Sequence, residues 1–220
     1  MMAPRGTIEI LIATGNPKKA GEIESVLAEG ECSSGCGTVI HWLTLRDLPS
    51  PIAEPIEDQD TLAANAALKA RHYSTATGHW TLADDSGLEV DALGGAPGLF
   101  SARFADHAPG ATRPEREAAN NRKLVQALRD VAVEKRTARF RCELALADGD
   151  RILATACGTL EGRIIDDPRG ENGFGYDPHF LVTHLDMTAA ELSSEHKNRI
   201  SHRGRALREM KERLAALLGA

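Results

Sequence analysis

The chain has 220 residues, of which 42% are hydrophobic and 26% charged, proportions of a globular protein rather than a disordered chain. Its net charge of -6 argues against general nucleic-acid binding, which needs a basic surface to neutralise phosphates. No apolar run is long enough to span a bilayer, and the N-terminal residues lack the apolar core of a signal peptide. A cytoplasmic protein without a membrane partner is expected.

The first predicted elements are a strand and a helix joined by a glycine-containing turn. Residues 7–13 are nearly all apolar, as in a strand buried on both faces, and Thr14–Lys19 follows directly. A helix starting here would point free N–H groups at the turn and, with Lys18 and Lys19, would favour a phosphate. The same residues also fit a plain strand-to-helix connection.

The second predicted helix is rich in alanine, with Thr61 as its N-cap and Gly78 at its end. Asn65 and Lys69 are four residues apart and therefore share one side of this helix, where both could contact a ligand. Solvation is the commoner fate of a helical lysine and is the alternative for Lys69.

The four cysteines do not indicate a metal site. No second Cys or His pair stands at zinc-finger spacing from Cys32 and Cys36, so free thiols in a loop are expected. Cys142 and Cys157 lie in strand-like segments and are predicted to be small core residues.

Residues 80–83 predict a short strand that ends at two adjacent carboxylates, Asp84 and Asp85, before Ser86 and Gly87. Paired carboxylates beside a glycine turn suggest a metal or acid–base site, although Asp-Ser-Gly is also ordinary turn chemistry. Ligands of open α/β sheets gather beyond the carboxyl ends of strands, where Thr14 is also expected. The two stretches are therefore candidates for one site.

The second half of the chain predicts a mixed sheet. Thr112 and Glu115 form a capping box that opens a helix, and Asp148-Gly149 is a hairpin turn between two antiparallel strands. A second capping box, residues 188–191, predicts another helix start.

Two later stretches suggest ligand contacts. Phe174 and Tyr176 stand between closely spaced glycines, which would present a flat ring for stacking or form a loop packed on its own aromatics. His202 and Arg203 precede Gly204 at a predicted helix start, where two donors would suit a carbonyl or phosphate. Their alternative is a position at the surface.

Four segments in this order resemble the inosine triphosphate pyrophosphatase family, also called non-canonical purine NTP pyrophosphatases of the RdgB/HAM1 type. They are residues 14–19, 83–88, 173–178 and 201–204, and the resemblance covers nearly the whole chain. It implies one domain over residues 1–220, with two lobes that are not independent domains. The implied fold is α/β, a long mixed β-sheet flanked by helices with the active-site cleft between the lobes, usually in a homodimer.

The resemblance also implies an activity. The family hydrolyses ITP, dITP and XTP with Mg²⁺, releasing the monophosphate and pyrophosphate and so removing deaminated purines from the nucleotide pool. A donor-lined pocket would select the 6-oxo group of these bases, because the adenine amine would leave those donors unpaired.

The resemblance implies roles for individual residues. The catalytic group is Asp84, Asp85 and Lys69, with Asp85 as proton acceptor and, together with Glu57, as metal ligand. Phe174 would stack on the purine, and His202 and Arg203 would read its edge. The full substrate-binding set comprises Thr14, Gly15, Asn16, Pro17, Lys18, Lys19, Ser86, Phe174, Gly175, Tyr176, Asp177, Lys197, His202 and Arg203.

The sequence departs from the family pattern at three places. Ala64 replaces an acidic residue that is common there, Phe104 replaces a usual tyrosine, and residues 30–37 look like an insertion.

Two other functions fit parts of the sequence. One is a pyrophosphatase of different base preference, such as the Maf type, against which Phe174 and the His202–Arg203 pair argue. The other is a nucleotide sensor without catalysis, which would have little need of adjacent carboxylates beside phosphate.

Overall fold

A computed structural model describes residues 6–28 and 38–219, so the predicted insertion with Cys32 and Cys36 lies outside the described residues. The helices are α1 (Pro17–Ala28), α2 (Leu62–Thr77), α3 (Arg113–Leu128), α4 (Ser194–Ile200) and α5 (His202–Leu217). The strands are β1 (Thr7–Ala13), β2 (Val39–Thr44), β3 (Trp80–Val90), β4 (Thr137–Asp148), β5 (Arg151–Ile164), β6 (Phe180–Val182) and β7 (Met187–Thr188). No helix within these ranges has the length and apolar character to cross a membrane.

The strands form one sheet in the order β2-β1-β3-β4-β5-β6-β7. β1 pairs in parallel with β2 and β3, whereas β6 pairs antiparallel with β5 and β7. This confirms the predicted α/β class with a mixed sheet.

The chain divides into two compact units. The first unit contains residues 1–85, 142–158 and 203–220, and the second contains residues 86–141 and 159–202. Both units are therefore assembled from segments that are distant in sequence.

The core of the first unit is divided between the two faces of its strands, because successive strand residues point to opposite sides. Ile10, Ile12 and Leu82 pack with the buried residues of α1 and α5. Leu11 and Ala83 pack instead with the buried residues of α2. On β3, Leu82 thus faces α1 and α5, and Ala83 faces α2.

The second unit has its own core, built from α3, the aromatic side chains of the sheet and the C-terminal part of β3. Leu124 and Leu128 of α3 are fully buried with Leu88, Phe140 and Phe180. The Phe140 and Phe180 ring centroids lie 4.4 Å apart.

Several predicted helix and turn signals are confirmed. Thr61 caps α2 by accepting from the Ala64 N–H at 3.1 Å, and Gly78 ends that helix in the left-handed conformation. Thr112 and Glu115 form the predicted capping box of α3. The 148–149 turn joins β4 to β5, with φ of 60° at Gly149.

Two predicted element boundaries are wrong. β3 does not end at Asp84 but runs on to Val90, because nearly every residue of this strand is buried. Thr188 and Glu191 form a turn rather than a helix cap, since the Thr188 hydroxyl donates to the Arg169 carbonyl. α4 starts at Ser194 and is capped by Ser193.

The prediction for the two cysteines of the sheet is half right. Cys142 is fully buried, as expected of a core residue. Cys157 is exposed, because the alternation of β5 buries its neighbours Ala156 and Gly158 instead.

Gly87 lies in β3 where a side chain would collide with the Gly98 carbonyl. We expect Gly87→Ala to lower the free energy of unfolding by about 1–3 kcal/mol, because backbone must shift to admit the methyl group. Denaturant unfolding measures this change. The matched control is Gly21→Ala in α1, where a Cβ meets no atom within 4 Å and helix propensity should raise stability by about 0.5–1 kcal/mol. Equal stability of the two variants would contradict the expectation.

Candidate active site

The Thr14–Lys19 turn begins where β1 ends, and Asn16 immediately precedes α1. The Asn16 Oδ1 atom accepts from the N–H groups of Lys18 at 3.1 Å and Lys19 at 3.4 Å. Pro17 has no N–H group, so the first turn of α1 does not present the free donors that the sequence predicts. An anion at this turn would therefore depend on side chains such as Lys19 and Thr14.

Gly15 lies beside an acidic side chain, Glu54, of the segment that follows β2. A Cβ at this position would collide with the Glu54 carboxylate, which packs directly on the glycine. The absence of a side chain at Gly15 therefore permits the close approach of Glu54.

The carboxylate of Asp84 is fully buried, with a side chain that is 0% exposed. Lys19 pairs with its Oδ1 atom, and the Arg203 Nε atom donates to Oδ2 at 3.1 Å. The Cys142 Sγ atom lies 3.2 Å from the same Oδ2. Arg203 also pairs with Glu22, so its guanidinium joins two carboxylates.

Asp85 follows directly but lies among different partners. The Lys69 Nζ atom lies 2.8 Å from Asp85 Oδ1 and 3.1 Å from Glu57 Oε1. These three side chains are 10%, 11% and 34% exposed for Asp85, Lys69 and Glu57, so solvent reaches all of them. The structure thus brings together the predicted lysine and the two predicted metal ligands.

The two neighbouring aspartates have opposite electrostatics. Burial alone would raise the pKa of Asp84, but the charges of Lys19, Arg203 and Lys69 outweigh it and hold this pKa well below the usual range. Burial raises the pKa of Asp85 above its ordinary value, and Lys69 and Lys19 offset only part of this effect. Asp84 is therefore a fixed anion, whereas Asp85 has the greater affinity for a proton.

Neighbouring carboxylates raise the pKa values of the two cations, Lys69 and Arg203. Burial alone would lower the pKa of Lys69, but Asp85, Asp84 and Glu57 raise it above its usual value. Burial would likewise lower the pKa of Arg203, and Asp84 and Glu22 raise it instead. Both side chains remain positively charged.

Asn65 has a structural role. It is buried, and its Oδ1 atom accepts from the Gln59 N–H at 3.1 Å. Asn65 therefore helps to fix the loop that carries Glu57.

In the second unit, Phe174, Asp177 and Lys197 form one cluster. The Lys197 Nζ atom lies 2.6 Å from Asp177 Oδ2 and 4.8 Å from the centroid of the Phe174 ring. The Phe174 N–H donates to the same Asp177 oxygen at 2.8 Å. A side chain at Gly173, where φ is 74°, would collide with the Asp177 carboxylate. The glycine loop therefore fixes an aromatic ring beside an ion pair.

The other predicted site residues of the second unit contact different groups. His202 is buried and stacks on Phe140, with ring centroids 4.9 Å apart. The Tyr176 hydroxyl donates to the Ser101 carbonyl at 2.8 Å, and the Gly175 carbonyl accepts from Asn121 at 2.9 Å. Tyr176 and Gly175 thus anchor the loop, and Ser86 is half-buried on β3.

The sequence predicts a shared base-reading role for His202 and Arg203, but the structure gives them different neighbours. They are consecutive, yet His202 belongs to the second unit and Arg203 to the first. The guanidinium of Arg203 contacts Asp84 and Glu22.

Several contributing residues are missed by the sequence reading. Glu22 could have been found, because it lies three residues after Lys19 on α1 and therefore shares its face. Phe140 and Cys142 lie on the apolar side of an alternating sequence, which predicts only core positions. No local signal connects them with His202 or Asp84, which are distant in sequence.

The donor set of Asp85 and Glu57 fits a hard divalent cation. Magnesium is commonly held by one or two carboxylates, with water and substrate phosphate completing its shell. Within the described ranges no three acidic, histidine or cysteine side chains gather as a complete metal cage. Two carboxylates beside a lysine therefore suit an ion that arrives with a phosphorylated ligand, and Ala64 adds no acidic group to them.

The sequence model of the Ham1 family matches residues 10–213. A dITP/XTP pyrophosphatase from Exiguobacterium sibiricum is 42% identical over 212 residues, covering 96% of this chain and 100% of the relative. A dITP/XTP pyrophosphatase from Thioalkalivibrio sulfidiphilus is 46% identical over 210 residues, covering 94% and 98% of the two chains.

A solved structure of a HAM1 protein from Coxiella burnetii matches with a TM-score of 0.79 and 37% identity, covering 95% of this chain and 99% of that chain. The nucleoside-triphosphatase / dITP/XTP pyrophosphatase from Mycobacterium abscessus matches with a TM-score of 0.69 and 39% identity, covering 92% and 97%. These matches extend over nearly the whole chain and confirm the resemblance found in the sequence. The protein belongs to the Ham1 family.

Proposed function

We propose that this protein is a nucleoside triphosphate pyrophosphatase that hydrolyses ITP, dITP and XTP to the monophosphate and pyrophosphate with Mg²⁺. Its role would be to remove deaminated purines from the nucleotide pool. The observation that carries the proposal is the Lys69 ammonium held by Asp85 and Glu57, in a chain whose relatives are named dITP/XTP pyrophosphatases.

The first unit supplies the groups for the triphosphate and the water. Thr14, Lys18 and Lys19 would bind phosphate oxygens, and Lys69 would neutralise charge that develops during cleavage. Asp85 and Glu57 would hold the cation, which when bound would supply further neutralisation of the phosphates. Asp85 would accept the proton of the attacking water, which its raised pKa favours.

Asp84 takes a different part in this proposal. Its side chain is fully buried, and its carboxylate forms ion pairs with Lys19 and Arg203. Asp84 would therefore orient Lys19 towards the phosphates rather than exchange a proton with water.

The second unit supplies the groups for the base. The Phe174 ring offers a stacking surface, and Lys197 beside it is a donor for a 6-oxo group. His202, held against Phe140, is the second candidate donor. Arg203 would act on the phosphate side, through Asp84.

The resemblance also supports the proposals that the enzyme is a homodimer and works in the cytoplasm. The net charge of -6 supports free nucleotides rather than nucleic acid as its substrates.

Substrate identity is tested by incubating the protein separately with Mg²⁺ and ITP, dITP, XTP, ATP, GTP or dUTP and identifying the products. We expect the monophosphate and pyrophosphate from ITP, dITP and XTP, with little turnover of ATP, because adenine lacks the 6-oxo acceptor. Release of orthophosphate, or equal turnover of all six nucleotides, would refute the proposal.

Asp85→Asn removes the proton acceptor and one candidate metal ligand while keeping the size of the side chain. We expect turnover of dITP to fall by about 10²–10⁴-fold, the usual contribution of a general base, while the protein still binds the nucleotide. Steady-state kinetics and calorimetric titration measure the two quantities. Asp150→Asn, in the exposed hairpin turn, is the control that should retain turnover. Near-normal activity of Asp85→Asn would transfer the role to another group.

His202→Ala and Arg203→Ala should have different effects because their contacts differ. His202→Ala should lower the ITP/ATP ratio of kcat/KM by about 2–10-fold, the value of one lost hydrogen bond. Arg203→Ala should leave this ratio unchanged but destabilise the fold by about 3–5 kcal/mol, since it leaves Asp84 without one buried cation. Kinetics with both nucleotides and denaturant unfolding separate the two effects. A lowered ratio in Arg203→Ala would restore it as a base reader.

A further inference from the structure

The side chain of Cys142 contacts the buried charge of the first unit although the proposed reaction does not use it. Cys142 lies in β4 and is fully buried. Its Sγ atom is 3.2 Å from Asp84 Oδ2, within reach of a hydrogen bond from a thiol. The residue therefore does more than fill space in the core.

The three donors around Asp84 come from three different elements. Lys19 comes from α1, Arg203 from α5 and Cys142 from β4. The two cations have long side chains with several rotatable bonds, whereas the thiol stands one bond from a Cβ atom in the sheet. Cys142 is thus the short, rigid donor of the set.

The position of the Lys19 ammonium depends on the orientation of the Asp84 carboxylate, because the two groups pair. The Lys19 side chain is 18% exposed at the surface side of the pair, whereas that of Asp84 is 0% exposed. Arg203 and the thiol meet Oδ2, which leaves Oδ1 directed at Lys19. A donor that fixes Oδ2 therefore also fixes the position of the phosphate-binding ammonium.

We infer that Cys142 is a positioning residue, whose thiol donates to Asp84 and thereby holds Lys19 in the orientation that binds substrate phosphate. This inference rests on the proposed function, because it assigns Lys19 to the triphosphate. In donating this hydrogen bond the thiol keeps its proton, so it adds a donor without adding another buried charge.

The competing explanation is that Cys142 only packs, and substitutions of matched size separate the two. Cys142→Ser keeps a donor in the same place, whereas Cys142→Val fills similar space without one. Cys142→Ala provides a second donor-free variant if the valine protein fails to fold. Cys157→Ser, at the exposed cysteine of β5, is the matched control and should not change activity.

We expect Cys142→Val to raise the KM for dITP by about 5–20-fold with a smaller change in kcat, since a weak donor to a charged group is lost. Cys142→Ser should stay within about 2-fold of the unmodified enzyme for the same reason. Steady-state kinetics measures both constants, and thermal unfolding shows whether each variant is folded. The separation of KM from kcat and the rescue by serine identify positioning, since lost packing would affect both variants.

Three outcomes would overturn the inference. They are a normal KM in Cys142→Val, an equal loss in Cys142→Ser, and a loss confined to kcat. Calorimetric titration with inorganic pyrophosphate and Mg²⁺ keeps this test separate from the proposed function, because it needs no turnover. If dITP is not a substrate, weaker pyrophosphate binding in Cys142→Val and its recovery in Cys142→Ser still support the role of the thiol.

Discussion

The first unit depends on the burial of one carboxylate. Removing the Asp84 charge from water is costly, and the cost is offset only because Lys19, Arg203 and Cys142 all converge on it. These donors belong to α1, α5 and β4, so the contact joins two helices to the sheet. Loss of one donor would leave the others facing an imperfectly satisfied charge.

The geometry of a β-strand explains why two adjacent aspartates differ so much. Successive side chains of β3 point to opposite faces, so Asp84 lies with Leu82 on the side of α1 and α5. Asp85 lies with Ala83 on the side of α2, where Lys69 meets it. The pair that looks like a single chemical unit in the sequence therefore divides into a buried structural anion and a solvent-reachable carboxylate with a raised pKa.

The sequence predicts well whatever depends on neighbouring residues. The caps at Thr61 and Thr112 and the turn at Gly149 follow from contacts within a few residues. The end of β3 could not be predicted in this way, because the strand continues beyond the last residue paired with β1. Residues 86–90 of the strand belong to the second unit, where Leu88 and Val90 are buried in its core, and local composition does not reveal this burial.

The candidate site shows the same division. The resemblance predicts Lys69 and Asp85 as site residues, and they form an ion pair in the structure. The resemblance does not predict which residues each base-site side chain contacts. Arg203 pairs with Asp84, which is 119 residues away, and the sequence does not predict this contact. The burial of each side chain and the partner of each ion pair depend on tertiary structure, so local sequence does not predict them.

The distance in sequence between Asp84 and Arg203 also concerns the order in which the protein is made. The first unit includes residues of α5, so its core is incomplete until that helix has been synthesised. Since chains emerge from the ribosome N-terminus first, Asp84 is present long before the arginine that neutralises it. The nascent chain must therefore keep this carboxylate hydrated until α5 is available to pair with it.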